Sequence, residues 1–110
     1  MSIDYLLWNK NSHEFAALSF SDLNQLSDKD PVRVANICNA NKLILSDGKT
    51  NLYVYGSKGK VFGFYKEGLS NVDQIISFLE GRFDFEAVEE GSEKYFEIMD
   101  AEEDVEETAD

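Results

Sequence analysis

Six carboxylates fall within fourteen residues near the C-terminal end of the chain: Asp84, Glu86, Glu89, Glu90, Glu93 and Glu97. Carboxylates at this density suit two kinds of chemistry. Fixed in space they can ligate a hard cation or share a proton. Spread over a surface they attract a basic partner and steer its approach. Around them Phe83, Phe85 and Ala87 alternate with Asp84, Glu86 and Val88, and Glu89 to Glu93 has the composition of a turn. Residues 94–99 then read as a returning strand with Phe96 and Ile98 on one face, so the spacing predicts a hairpin with a carboxylate-rich solvent face. Asp84, Glu86, Glu89, Glu90, Glu93 and Glu97 are therefore the candidate partner-binding residues. None of them has the apolar setting that would raise a carboxyl pKa for acid–base work, and no metal site is expected.

A second cluster has the opposite character. Between residues 49 and 66 the chain carries Lys49, Lys58, Lys60 and Lys66, interleaved with Tyr53, Tyr55, Phe62, Phe64 and Tyr65. Rings on which bases stack, with cations for phosphates, are what a single-stranded nucleic-acid surface requires. Lys49, Tyr53, Tyr55, Lys58, Lys60, Phe62, Phe64 and Lys66 form the alternative, nucleic-acid-binding set. The competing reading is that aromatics fill strands and lysines keep turns wet.

Nucleophilic catalysis finds little material. His13 and Cys38 are the sole residues of their kinds, one in a polar turn and one on an expected helix as a buried thiol. There is no phosphate-binding glycine loop, dinucleotide fingerprint, zinc spacing or calcium loop. No enzyme activity and no cofactor are expected.

The elements that would position these residues are short. Residues 3–8 (IDYLLW) read as a first strand, and EFAALS as either a helical turn or a strand. Ser21 is placed to cap a helical segment from Asp22 to Ser27. Asp30-Pro31 has the form of an N-cap followed by the first helical position. Val34, Ile37 and Cys38 follow at i, i+3 and i+4, so a helix is expected from Pro31 to about Asn39. A meander of three strands comes next: Leu43 to Ser46, an Asp47-Gly48 turn, Thr50 to Tyr55, then Lys60 to Lys66. In its middle strand Leu52 and Val54 share one face and Tyr53 and Tyr55 the other. Ser70, with Asp73 three residues on, marks the start of the strongest helix. Val72, Ile75, Ile76 and Leu79 form its stripe, and Gly81 stands where it would end.

Charge divides the chain. From Glu86 to Asp110 there are 12 acids against Lys94 alone; from Met1 to Phe85 there are 10 acids and 9 bases, in a chain of net charge −12. Bare duplex phosphate would be repelled and basic proteins attracted. With 110 residues and 43% hydrophobic content, one α+β domain is expected over residues 1–99. It would have a mostly antiparallel sheet, a central meander and a C-terminal hairpin, packed by two or three short helices. Residues 100–110, with little to bury, are expected to be an acidic flexible tail. No segment reads as a signal peptide or membrane span, and one cysteine suits a reducing compartment, so the expected location is cytoplasmic. The functional expectation is a small acidic binding protein whose carboxylate face docks on a basic protein partner. Nucleic-acid-mimicking inhibitors and immunity proteins, some of them phage-encoded, act this way on nucleases and related enzymes. The alternatives are a single-strand binder with an acidic regulatory tail, and a structural or assembly protein.

Overall fold

A computed structural model describes residues 4–68 and 70–100. These residues form one antiparallel sheet of seven strands: β1 (Tyr5–Asn9), β2 (Glu14–Phe15), β3 (Arg33–Asn39), β4 (Lys42–Ser46), β5 (Asn51–Ser57), β6 (Lys60–Lys66) and β7 (Glu86–Glu89). The order is β2-β1-β6-β5-β4-β3, with β7 on the other edge of β1. Three helical segments accompany it: α1 (Phe20–Leu23), α2 (Asp73–Phe83) and α3 (residues 93–100). The expected α+β class with a mostly antiparallel sheet is what the chain forms.

The meander follows from local chemistry. At the β4–β5 turn Asp47 Oδ1 accepts from the backbone N–H of Lys49 (2.9 Å) and of Thr50 (2.8 Å), while Gly48 takes a positive φ. Registry then places Leu43 opposite Val54 and Leu45 opposite Leu52 on one face, with Ile44 opposite Tyr53 and Lys42 opposite Tyr55 on the other. In β6 the bulge beside Tyr55 and Gly56 leaves Phe62 unpaired in the ladder. Gly56 is there because the strands close tightly: a Cβ at this position would overlap the Lys60 carbonyl oxygen and touch the Phe20 ring.

Two apolar clusters cover opposite faces of the sheet. The larger joins Tyr5, Leu7, Leu43, Leu45, Leu52, Val54 and Phe64 to Val72, Ile75, Ile76 and Leu79 of the α2 region. The i, i+3, i+4, i+7 stripe predicted this contact, and each buried aliphatic contributes roughly 1.5–3 kcal/mol. The smaller cluster packs Trp8 and Val88 against Ile98 of α3, with Leu6, Tyr95 and Met99 around them.

Several expected elements are corrected. Pro31 to Asn39 is no helix: residues 33–39 are the edge strand β3, and Asp30 instead accepts from the Ser27 backbone N–H at 2.7 Å, closing a turn. Residues 94–99 are not a strand but part of α3. Ser92 Oγ accepts from the Tyr95 N–H at 3.2 Å at its start, so there is no C-terminal hairpin. Ser19, not Ser21, caps α1, in a reciprocal pair with Asp22 (3.1 and 3.0 Å). Ser70 does not cap α2, which begins at Asp73 beside the Asn71 side chain. Gly81 lies within α2, and Asp84 is its left-handed C-cap. Of the expected tail, Asp100 belongs to α3 and residues 101–110 lie outside the described residues.

Candidate functional site

The six candidate carboxylates gather at one edge of the sheet, but on three different elements. Asp84 occupies the α2 C-cap at φ 56°, Glu86 and Glu89 bracket β7, Glu90 follows it, and Glu93 and Glu97 stand on α3. Pleating sends Glu86 and Glu89 to opposite faces: Glu86 pairs with Trp8, Glu89 with Tyr5. Glu93 and Glu97 share one helix face, and like charges at that spacing repel slightly. All six are exposed except Glu86, which is partly covered. Among the described residues one ion pair touches the set, Lys66 Nζ to Glu89 Oε1 at 3.9 Å.

This edge is rigid for identifiable reasons. Four residue pairs join β7 to β1, Glu80 Oε2 accepts from the Ala87 N–H at 2.9 Å, and the Glu90 N–H donates to the Asp4 carbonyl at 2.8 Å. Ile98 anchors α3. A cleft of about 350 Å³ opens between the end of β1 and the C-terminal end of α2, with Glu80, Asp84 and Glu86 near Trp8, Asn9 and Lys10. No group of three or more potential metal ligands comes together among the described residues. What the arrangement can do is present carboxylates at fixed positions.

The alternative set is divided by the sheet. Tyr53 and Tyr55 lie on the face away from α2, and Lys60, opposite Ser57, lies on that face too. Phe64 does not: it is fully buried in the main core against Phe85. Lys66 shares the Phe64 side, its ammonium 6.0 Å from the Tyr5 ring. That same Tyr5 hydroxyl has its pKa pushed above the ordinary value, by burial first and then by the nearby Glu89, Asp73 and Asp4 carboxylates. Lys49 and Lys58 sit in turns. Phe62 is 56% exposed at the β6 bulge. It borders an apolar cleft of about 380 Å³ with Leu6, Phe15, Ala17 and Lys60.

The face away from α2 also gathers Tyr65, an aromatic of the same cluster outside the candidate set, and residues from outside the cluster. Tyr65 joins Tyr53 (6.3 Å between centroids, edge-on) and Tyr55 (4.5 Å, tilted). Lys42 holds its ammonium 5.0 Å from the Tyr53 centroid and 5.5 Å from that of Tyr55. Asn39 and Asn36 continue the rows onto β3. The signal for Lys42 was present in the Asp-Gly hairpin, since extending its register by one pair sets Lys42 against Tyr55.

His13 and Cys38 are not brought together. His13 directly precedes β2 and Cys38 lies on β3, at opposite ends of the strand order. Cys38 is an exposed thiol on an edge strand, not a buried one on a helix. No helix among the described residues is long and apolar enough to cross a membrane. Compared with known proteins, the chain matches no family model, no curated protein and no solved structure.

Proposed function

We propose that this is a small, non-catalytic, cytoplasmic binding protein that docks its acidic edge on a basic protein surface. The observation that carries the reading is the placement of Glu89, Glu90, Glu93 and Glu97 at one sheet edge: exposed, and held by a strand ladder and an anchored helix. A backbone already ordered in the free protein spares the cost of ordering a loop on binding, which leaves only the rotamer freedom of each glutamate side chain to offset the attraction. The partner class is a protein that normally handles phosphate, such as a nuclease. Carboxylates standing where its substrate's phosphates would lie give inhibition or immunity without chemistry.

The test is affinity capture from the native host after nuclease digestion, with the wild type and a Glu90→Gln/Glu93→Gln/Glu97→Gln variant side by side. The expected captured protein is basic, elutes as salt rises and is lost with the triple variant. A partner retained equally by the variant, or one whose affinity does not change with salt, contradicts the reading.

A further inference from the structure

We propose that the sheet face opposite α2, centred on Tyr53, Tyr55 and Lys42, binds single-stranded RNA. This site is separate from the acidic edge, and its failure would leave the docking proposal standing. In a chain of net charge −12, strands β3 to β6 contain no acid on either face, and this face is the one that collects their polar and aromatic side chains. Registry assigns them: Arg33, Asn36 and Asn39 from β3 face the same way as Lys42, Ile44 and Ser46 from β4. Asn51, Tyr53 and Tyr55 from β5 and Tyr65 from β6 complete the rows. Asp28 reaches the margin and engages Arg33 at 3.7 Å, which leaves Lys42 and Lys60 as the cations offered to a polyanion.

Neither apolar cluster uses these side chains. Tyr65 is buried against the other two rings and braces them, while Tyr53 and Tyr55 are partly buried, each keeping a minor part of its surface open to solvent. Phe62, exposed at the bulge one row further on, offers another ring. The Lys42 ammonium lies over the two tyrosines in the free protein. A stacked base outweighs an exposed cation–π contact, so Lys42 would give up the rings to a base and turn to the adjoining phosphate. The asparagine amides and tyrosine hydroxyls supply donors and acceptors for base edges and for the ribose 2′-hydroxyl, the group that marks RNA. The acidic helix α3 packs over β1 on this same face, two strand spacings or about 9–10 Å from β5. At physiological salt, with a Debye length of about 8 Å, its carboxylates are partly screened at the tyrosines, and they oppose a polyanion more at low salt.

The test is a fluorescence-anisotropy titration of the full chain with a labelled oligouridine of about 12 nucleotides, within the usual range of single-strand sites. Saturable binding is expected, with log K falling by about 1.4 per decade of salt for two phosphate contacts, and by about 0.7 less in Lys42→Gln. Tyr55→Ala is expected to weaken binding about fivefold or more. Arg82→Glu, on the far side of the sheet, is expected to leave it unchanged. Because Tyr55→Ala can impair folding, amide chemical-shift mapping of the wild type is the second readout, with shifts expected in β4, β5 and β6. Four results would overturn the proposal: no binding at low salt, shifts confined to other strands, equal loss in Arg82→Glu and Lys42→Gln, or affinity for the matching deoxy-oligonucleotide as high as for the RNA.

Discussion

Asp47 shows how much a single side chain contributes to this sheet. Its carboxylate accepts two backbone N–H groups that the β4–β5 turn would otherwise leave to water. Those bonds, Lys49 first and Thr50 second, hold its pKa below the ordinary aspartate value, against a smaller opposing effect of burial. The unfolded chain therefore binds this proton more readily than the folded one. The stabilisation is complete above the unfolded value, about 3.9, and is lost as pH falls through the lower folded value. A side-chain NMR titration is expected to place the Asp47 midpoint below that of free aspartate. Asp47→Asn, which keeps an oxygen acceptor, should remove this share of the acid dependence while leaving the hairpin formed. A midpoint at or above the free value would mean that the turn does not depend on the charge.

At the scale of elements, the hairpins and α2 were legible in the sequence because one local pattern fixed each: Asp-Gly between alternating runs, and an apolar stripe at helical spacing. β3 was not, and its bulges explain why. Extra residues at Ala35 and Cys38 stretch the strand, so Val34 and Ile37, opposite Leu45 and Leu43, face the same side three residues apart. That spacing imitates a helix. In α3 the opposite confusion arose. Phe96 and Ile98 alternate like a strand, yet Tyr95, Ile98 and Met99 at i, i+3 and i+4 make the contact and Phe96 is 55% exposed. Ser92 carried the capping signal that could have decided it. If α3 is held by this small cluster, Ile98→Ala should cost about 2 kcal/mol, the low end for a buried aliphatic at the margin of a fold. It should also shift the emission of Trp8, the one tryptophan, to the red, because Ile98 packs with it. Urea unfolding followed by fluorescence measures both. Unchanged Trp8 emission would show that α3 does not depend on this contact.

At the scale of the molecule, sheet order turns a linear charge asymmetry into a spatial one. The division at residue 86 was visible in the sequence. That the acids would meet at one edge, with the carboxylate-free tyrosine face strands away, was not, because strand order depends on long-range pairing that no local pattern encodes. Crowding like charges on one edge carries a cost, since Glu90, Glu93 and Glu97 have no cationic partner among the described residues. Salt should relieve it: the Debye length falls from about 10 Å at 0.1 M to about 3 Å at 1 M. If the relief is worth about 1 kcal/mol, thermal unfolding should rise by roughly 4–8 °C across that range. Salt also strengthens apolar burial in any protein, so the wild type alone decides nothing. The Glu90→Gln/Glu93→Gln/Glu97→Gln variant separates the two effects. It should melt higher than the wild type at low salt and gain less as salt is added, because much of the repulsion is already gone. Equal gains in both proteins would show that the edge carries no electrostatic strain, and that its carboxylates are spaced widely enough to be held together without cost.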